Sequence, residues 1–356
     1  MEAIVLVGGR GTRLRPLTVT VPKPMLPTAG VPFLAHLFAR ARAAGVTRIV
    51  LATCYRSETF EESFGDGAGL GLELEYVRED EPLGTGGGIR NAASWLRSGP
   101  DEPVLVLNGD ILSGHDLGAQ LALHLSSDAD VTLHLTEVPE PGRFGCVPTE
   151  PSGRVAAFLE KTQRPVTNRI NAGCYIFRRS VLSEIPAGRA VSAERETFPA
   201  LIERGARLMA YADDAYWLDV GTPSTFVRGS CDLVLGCLES PALPGRPGEA
   251  LLLPGSSVAP DAVVCGGSAV GQGSVVGPGA RVEGSVVFDD VEVGPGARVR
   301  GSALARGARV GDETVLDGAV VGEGSVIGPG NELRHGARVW PDVTLPAGAI
   351  RFSSDL

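Results

Sequence analysis

Up to about Cys231, short runs of aliphatic residues alternate with longer stretches in which apolar residues recur at helical spacing. Strands are predicted at residues 3–7, 48–53, 72–77 and 104–107. Helices are predicted at residues 33–44 and 86–96. Because this alternation is typical of βαβ units, it predicts an α/β fold with a mainly parallel sheet covered on both faces.

The last hundred or so residues follow a different period, in which an aliphatic or aromatic residue recurs every six positions. Gly and Pro follow many of these residues, as at positions 277–279 and 294–296. A period of six is typical of coils of three short parallel strands with tight corners, and about five coils are predicted. The series, with occasional slips of one residue, runs through Val258, Val264, Val270, Val276, Val282, Phe288, Val293, Val299, Val310, Leu316, Val321, Ile327, Leu333, Val339 and Leu345.

A segment rich in proline and glycine separates the two patterns. Four prolines fall between residues 241 and 254, which excludes this segment from either core. We therefore predict a Rossmann-like α/β domain at residues 1–238, a linker at 239–256, and a domain similar to the left-handed parallel β-helix of hexapeptide repeats at 257–356.

Composition and charge narrow the class of protein. The net charge is −10 and no basic run occurs, which argues against a nucleic-acid or anionic-membrane partner. No apolar stretch approaches the roughly 20 residues of a membrane span. The six cysteines form no CxxC pair, so we expect reduced thiols and a cytoplasmic protein. Only Lys23 and Lys161 among the 32 basic residues are lysines, which draws attention to these two positions.

A glycine-rich loop follows the first predicted strand and carries its own cations, Arg10, Arg13 and Arg15. Such loops bring backbone N–H groups close to phosphate. The loop lacks the third glycine and the acidic residue of a dinucleotide site, and no Gly-Lys-Ser/Thr of a P-loop is present. Two prolines flank Lys23 and predict an extended segment that holds its ammonium group near the loop.

Residues 9–13, Gly-Arg-Gly-Thr-Arg, followed by Pro22-Lys23, resemble the signature of the sugar-1-phosphate nucleotidylyltransferases. Further runs at residues 81–87, 107–110, 158–161, 171–173 and 217–223 are similar to later motifs of that family, in the same order and spacing. A β-helix is also appended in some members. The run Glu-Pro-Leu-Gly-Thr is most similar to that of the mannose-1-phosphate guanylyltransferases.

The resemblance implies attack by a sugar 1-phosphate on the α-phosphorus of a nucleoside triphosphate, with loss of pyrophosphate. It assigns Arg13 to the leaving phosphates, Lys23 to the α-phosphoryl group, and Asp110 and Asp219 to a Mg²⁺ ion. Nucleotide-binding residues implied in this way are Leu6, Gly8, Gly9, Gly11, Thr12, Glu81, Gly84, Thr85, Asn108 and Gly109. Sugar-phosphate-binding residues implied in this way are Gly145, Glu160, Lys161, Asn171 and Gly173.

The base is expected to be guanine. Guanine offers two adjacent donors to one carboxylate, and Glu79 and Glu81 stand where the family places its base contacts. Relatives that use uridine or thymidine nucleotides commonly carry a glutamine in this neighbourhood, and none stands here. The substrates expected are therefore GTP and a sugar 1-phosphate, with mannose 1-phosphate favoured.

Other functions stay open from the sequence. Another nucleotide-sugar or cyclitol-phosphate transferase, or a catalytically silent regulatory homologue, would keep the same fold. A hexapeptide acyltransferase would need a histidine base, and His335 alone lies in the repeat region. Because the open ends of a β-helix expose unpaired backbone, a homo-oligomer is also expected.

Overall fold

The computed structural model describes residues 1–54 and 57–351. Contacts within the chain divide it into two compact units. The first, called the sheet unit, comprises Met1–Gly9 and Leu37–Trp217. The second, called the β-helix unit, comprises Arg10–His36 and the chain from Leu218 onward. The predicted glycine-rich loop is thus shared, since Gly8 and Gly9 belong to the sheet unit and Arg10 to the β-helix unit.

The elements before the repeat region are numbered in chain order. The helices are α1 (Phe33–Ala43), α2 (Glu58–Phe64), α3 (Gly84–Ala93), α4 (Leu117–Ser126), α5 (Phe198–Glu203) and α6 (Pro223–Leu235). The strands are β1 (Glu2–Leu6), β2 (Pro27–Thr28), β3 (Val31–Pro32), β4 (Arg48–Thr53), β5 (Glu73–Arg78), β6 (Pro103–Asn108), β7 (Ile111–Ser113), β8 (Val131–Glu137), β9 (Gly145–Cys146), β10 (Leu159–Glu160), β11 (Arg169–Arg178), β12 (Leu208–Ala212) and β13 (Trp217–Asp219).

The sheet unit is built on one twisted sheet in which β1 lies between β4 and β6. These three strands are parallel, and β5 continues the parallel order beyond β4. On the other side, β11 runs antiparallel to β6 and to β8, so the sheet is mixed. β1 and β4 are buried along their centres, as expected for parallel strands covered on both faces. The α/β prediction is confirmed, and its four strands and two helices occur within three residues of the predicted bounds.

The repeat region forms a β-helix whose strands stack in parallel into three sheets. No helix in the described ranges is long and apolar enough to cross a membrane. The strands are β14 (Ala250–Leu252), β15 (Ser257–Val258), β16 (Val263–Cys265), β17 (Ser268–Val270), β18 (Val275–Val276), β19 (Arg281–Glu283), β20 (Val286–Val287), β21 (Glu292–Val293), β22 (Arg298–Arg300), β23 (Ala303–Leu304), β24 (Arg309–Val310), β25 (Val315–Asp317), β26 (Val320–Val321), β27 (Val326–Ile327), β28 (Glu332–Arg334), β29 (Arg338–Val339) and β30 (Thr344–Leu345).

The structure departs from the predicted six-residue series at Phe288. Val287, not Phe288, pairs with Val270 and joins the interior of the coil, and Leu304 is the next interior residue in that column. The step from Val282 is therefore five residues, because this corner of the middle coils is shortened by one. Phe288 faces outward instead, where its ring meets that of Phe226 in α6 edge-on at 6.1 Å.

The sheet formed by β14, β17, β20, β23, β26 and β29 has an apolar outer face. Its outward residues pair in one column from Leu251 through Ala269, Val286, Ala303 and Val320 to Arg338. Helix α6 packs against β14, β17 and β20 of this sheet. Alternation along a strand places these outward side chains opposite the coil interior, so their burial requires a second layer.

The compact units do not follow the predicted succession of residues 1–238, 239–256 and 257–356. Arg10–His36 groups with the β-helix, and β14 lies inside the segment predicted as a linker. Within the β-helix unit, the backbone amide of Ala29 donates to Ser230 Oγ at 2.8 Å, and His36 Nδ1 lies 2.6 Å from Ser240 Oγ. The predicted domain boundaries, which rest on the sequence pattern, therefore stay a prediction.

Two stacked histidines, His115 and His134, are buried in the sheet unit. The rings of His115 and His134 are 3.6 Å apart. Arg40 Nη2 donates to His115 Nδ1 at 2.9 Å, and His115 Nε2 donates to Gln120 Oε1 at 2.9 Å. A guanidinium only donates, so His115 accepts at Nδ1 and is neutral. Burial, with the charges of His134 and Arg40, lowers the pKa of His115 to about 2.

We expect these histidines to make the folded protein acid-sensitive. Burial, helped by Arg178, also lowers the pKa of His124 to about 4. Below the unfolded value of about 6.5 the unfolded chain binds more protons, so the free energy of unfolding falls with falling pH. Between pH 6.5 and 5, His115 and His124 each contribute a loss of about 2 kcal/mol.

Urea unfolding followed from pH 7 to pH 5 measures this loss. The carboxyls whose pKa is lowered, such as Glu2 and Asp128, lose their contribution only at lower pH. Burial raises the pKa of Glu79 and Glu160, so these two carboxyls stabilise the folded protein as pH falls and offset part of the loss. A free energy of unfolding that stays constant between pH 7 and pH 5 in Glu79→Gln/Glu160→Gln would show that the histidines titrate normally in the folded state.

Candidate active site

The carboxyl ends of β1 and β6 bring together three predicted nucleotide-binding residues. Leu6 is paired with Asn108, and the amide of Gly109 donates to the Leu6 carbonyl at 2.9 Å. A Cβ on Gly109 would lie 2.6 Å from that carbonyl oxygen, so only glycine fits. The Oδ1 atom of Asn108 is buried without a hydrogen-bond partner. An orphaned acceptor of this kind is suited to a donor supplied by a ligand.

Gly8 and Gly9 extend from the end of β1. A Cβ on Gly8 would stand 3.5 Å from that of Cys54, which is ordinary contact. Gly9 is exposed, with open space where a Cβ would be. The backbone of this part of the loop is therefore accessible to a phosphate, although neither glycine is demanded by packing within the sheet unit.

Residues 79–87, called the base loop for the predicted role of Glu81, hold a buried carboxylate at Glu79 rather than at Glu81. Glu79 is 8% exposed, and its Oε2 accepts the amide of Leu83 at 3.0 Å. Burial raises the pKa of Glu79. A Cβ on Gly88 would lie 2.7 Å from Glu79 Oε1, so the small residue leaves room for this carboxylate. Glu81, the predicted base contact, is exposed. Glu79 therefore braces the loop, and Glu81 is accessible to a base.

The other wall of this loop comes from residues 191–197, which no motif in the sequence marks. The Val191 carbonyl accepts the amide of Gly86 at 2.9 Å, and a Cβ on Gly84 would lie 2.7 Å from it. Thr85 Oγ1 donates to Glu194 Oε2 at 2.6 Å. Glu194 stands in a π-helical turn, Ala193–Thr197, a distortion often found at functional sites.

Three predicted sugar-phosphate residues meet where β9 pairs with β10. Gly145 is opposite Glu160, and the Lys161 ammonium lies 3.8 Å from Glu160 Oε1. Burial, followed by the nearby charge of Glu194, raises the pKa of Glu160, while Lys161 lowers it. Lys161 has φ 49°, a left-handed backbone, and its amide donates to the Phe144 carbonyl. Glu160, Lys161 and Glu194 thus form a polar group beside the base loop.

Asn171 and Gly173 lie at an irregularity of β11, where the register with β8 shifts between Asn171 and Tyr175. Asn171 Nδ2 donates to the Tyr175 hydroxyl at 2.7 Å, and Asn171 Oδ1 accepts the Gly173 amide at 3.1 Å. Gly173 has φ +77°, and a Cβ there would lie 2.8 Å from Asn108 Nδ2. The sheet unit therefore connects the predicted sugar residues to the predicted nucleotide residues.

Asp110 stands two residues after the end of β6 in the sheet unit, and the other predicted residues belong to the β-helix unit. Gly11 has φ +58°, its carbonyl accepts Thr18 Oγ1 at 2.7 Å, and a Cβ there would lie 3.0 Å from Lys23 Cβ. Thr12 and Arg13 are exposed in the short turn Thr12–Leu14. Lys23 is half-buried. The turn Thr12–Leu14 thus carries an exposed cation, Arg13, on a backbone that a phosphate can approach.

Asp219 ends β13 in the same unit and is half-buried. Two residues later, a Cβ on Gly221 would lie 2.9 Å from Arg13 Nη2, so the guanidinium of Arg13 rests on this glycine. The segment from Asp219 to Gly221 therefore carries a predicted metal ligand at one end and contacts Arg13 at the other.

Asp110 and Asp219 are oxygen donors suited to Mg²⁺. No cluster of three or more His, Cys, Asp or Glu side chains that could hold a metal occurs among residues 1–54 and 57–351. A Mg²⁺ ion takes few protein carboxylates and fills its shell with water and substrate phosphates. Each of these two aspartates, one in each unit, could supply one carboxylate ligand to such an ion.

The fold and these sites define a nucleotidyltransferase. The sequence model of the family described as "Nucleotidyl transferase" matches residues 2–234, and the chain belongs to that family. A second family model, "GlmU-like, C-terminal hexapeptide", matches residues 256–338. Enzymes of the nucleotidyltransferase family generally use a divalent metal.

The chain is 57% identical over 357 aligned residues to the mannose-1-phosphate guanylyltransferase of Mycobacterium tuberculosis, covering 100% of this chain and 99% of the relative. It is 36% identical to mannose-1-phosphate guanylyltransferase 1 of Arabidopsis thaliana, covering 79% and 76% of the two chains. Among solved structures, HddC from Yersinia pseudotuberculosis complexed with GMP-PN is similar with a TM-score of 0.54 and 29% identity, covering 64% of this chain and 97% of that one.

Proposed function

We propose that this protein transfers the guanylyl group of GTP to mannose 1-phosphate, forming GDP-mannose and pyrophosphate. The observation that carries the proposal is the 57% identity to the Mycobacterium tuberculosis enzyme across essentially the whole of both chains. The accessible carboxylate of Glu81 and the polar group around Glu160 support the choice of a guanine nucleotide and a sugar phosphate. The fold alone would not separate this activity from that of other nucleotide-sugar transferases.

In this reaction a phosphate oxygen of mannose 1-phosphate attacks the α-phosphorus of GTP, and the bond to the bridging oxygen of pyrophosphate breaks. The attacking oxygen is already an anion, so no general base is required. The difficulty is to hold two polyanions in line against their mutual repulsion. Catalysis therefore depends on cations that are positioned to neutralise the phosphate charges.

We assign Arg13 to the β- and γ-phosphates, because its planar fork can take two oxygens, and Lys23 to the α-phosphoryl group. Lys161 would neutralise the phosphate of the incoming sugar, and Glu160 would accept its hydroxyl donors. Asn108 Oδ1, buried without a partner, would accept a donor from the nucleotide. Gly8, Gly9, Gly11, Thr12, Gly84, Thr85 and Gly109 would supply backbone and hydroxyl contacts.

Asp110 and Asp219 are the residues that we assign to Mg²⁺. When bound, the ion would neutralise phosphate charge and help to orient the triphosphate. Neither aspartate is assigned a role as proton donor or acceptor.

A matrix of GTP, ATP, UTP and dTTP against mannose 1-phosphate, glucose 1-phosphate and a cyclitol phosphate, scored by pyrophosphate release, tests the function. The highest kcat/KM is expected for GTP with mannose 1-phosphate. A preference for another nucleotide would overturn the base assignment, and no turnover with any pair would favour a silent regulatory homologue.

Replacing each glutamate of the base loop in turn distinguishes the residue that binds the base from the residue that stabilises the loop. Glu81→Gln should lower kcat/KM for GTP by about 1–3 kcal/mol, or roughly 5- to 150-fold, since an amide cannot accept both donors of guanine. Its thermal midpoint should not change, because the side chain is exposed. Glu79→Gln is the matched control. It keeps an acceptor for Leu83 and should retain the preference for GTP. Equal selectivity losses in both variants would remove the assignment of Glu81.

We also propose a cytoplasmic homo-oligomer. None of the six cysteines forms a disulfide, as expected in a reducing compartment. The last coils leave Trp340 48% exposed and Val343 37% exposed, surface that a second copy could cover. Light scattering of the purified full chain tests the assembly, and a monomer at every concentration would contradict it.

A further inference from the structure

One residue of the β-helix contacts the backbone of the arginine-bearing loop. Arg338 Nη1 donates to the carbonyl of Arg15 at 2.7 Å, joining two residues 323 positions apart. Both residues belong to the β-helix unit. Arg15 follows the turn Thr12–Leu14 directly, and its amide donates to the Thr12 carbonyl at 3.3 Å. The bond from Arg338 therefore holds the residue at which that turn ends.

The position of Arg338 in the sheet is also unusual. It continues an outward column whose preceding members, Ala303 and Val320, are 0% and 2% exposed. Arg338 is exposed and is the charged member of this column. Its guanidinium donates to the Arg15 carbonyl, so the one charged residue of the column is the one that reaches the loop.

The segment Arg10–His36 is also held at the β2–β3 turn, by residues of the first coil and of the stretch that precedes it. A Cβ on Gly30 would lie 2.8 Å from the Leu253 side chain and 3.2 Å from Pro244, so the β2–β3 turn lies close against both residues. The Ser230 and Ser240 hydrogen bonds described above fix the same end. Arg338 contacts the backbone at the end that bears Arg13, where the Arg13 side chain also lies against Gly221.

We propose that Arg338 is a positioning residue for the phosphate-binding turn that carries Arg13. The β-helix then contributes to transferase activity through this bond, besides supporting the fold. This role rests on the proposed function, since it requires Arg13 to bind the leaving phosphates. Arg338 itself would touch no substrate. Loss of the bond would let the turn sample more conformations, so that Arg13 is less often placed for reaction.

The test compares Arg338→Ala, Arg338→Lys and Arg309→Ala in the full chain. Arg309 is the matched control, because it is an exposed arginine of another β-helix sheet whose guanidinium lies 3.6 Å from Glu292. We expect Arg338→Ala to lower kcat about 3- to 10-fold, the range of one hydrogen bond. The KM for mannose 1-phosphate should stay within about twofold, because Glu160 and Lys161 lie in the sheet unit. Arg338→Lys keeps a donor and should recover at least half of the lost kcat.

Hydrogen exchange of the backbone amides of residues 10–17 gives a readout that needs no substrate. Exchange should rise in Arg338→Ala and stay at the wild-type rate in Arg309→Ala, with thermal midpoints of the two variants within about 2 °C. Unchanged exchange in Arg338→Ala overturns the proposal, and so does a kcat equal to that of Arg309→Ala. A loss that Arg338→Lys shares in full overturns it as well. Should the wild type itself fail to turn over GTP and mannose 1-phosphate, the proposed function fails, while exchange still decides whether the bond orders the turn.

Discussion

A chain that ends after Leu235 is expected to aggregate and to lose transferase activity by at least 100-fold. The cut removes every strand of the β-helix, including β14, β17 and β20, against which α6 packs. Helix α6 buries Phe226, Val227, Leu233 and Val234. Exposing a side chain of this size costs about 1.5–3 kcal/mol. If all four become exposed, the loss approaches the whole stability of an ordinary domain, about 5–15 kcal/mol.

Activity should be lost together with solubility, because Arg10–His36 depends on the removed chain. The cut takes away Ser240, Leu253 and Arg338, which contact His36, Gly30 and Arg15 respectively. The segment that carries Arg13 and Lys23 would then lack these three contacts. Light scattering and pyrophosphate release measure both effects. A chain shortened only by its last five residues is the control, and a monodisperse truncated chain with wild-type kcat would show that the β-helix is dispensable.

Lys23→Arg is expected to lower kcat by about 100- to 1000-fold, the effect of removing one positioned donor at a developing charge. Lys23 lies between the buried residues Pro22 and Pro24, which leave its backbone little freedom to accommodate a longer, planar group. The KM values should change little, because the charge that binds phosphate is retained.

Lys161→Arg should have a different kinetic effect, chiefly a KM for mannose 1-phosphate raised about tenfold or more. The backbone of Lys161 is held in a left-handed conformation and its ammonium lies near Glu160, so a guanidinium would displace that carboxylate. Arg97→Lys, an exposed exchange beside Glu73, controls for the change of cation and should leave both constants unchanged. Near-normal kinetics in both lysine variants would show that the scarcity of lysine elsewhere in the chain carries no functional meaning.

Motifs at strand ends could be placed from the sequence, because a strand fixes where its own last residues point. Asn108, Gly109 and Asp110 follow an apolar run, and the structure places Asn108 and Gly109 beside Leu6. The wall at Val191 and Glu194 could not be found in this way. It contacts Thr85 from 109 positions further along the chain, and no local pattern marks its π-helical turn.

The two glutamates of the base loop illustrate the same limit. Glu79 and Glu81 are two residues apart and chemically identical, and both stand before the same turn. The hydrogen bond from the Leu83 amide and the space left by Gly88 show that Glu79 is folded back into the loop. The five-residue step to Val287 was equally hidden, because Val287 and Phe288 are both apolar and adjacent.

By itself, the sequence determined the α/β class, the β-helix and the motifs that resemble those of the nucleotidylyltransferases. These could be recognised because hydrophobic period and turn chemistry are local properties. Only the tertiary structure decided that Arg10–His36 belongs with the β-helix, that Glu79 is buried while Glu81 is not, and that Arg338 reaches the Arg15 carbonyl. The physical reason is that burial and hydrogen bonding between distant residues depend on which surfaces meet, and a linear pattern does not record this.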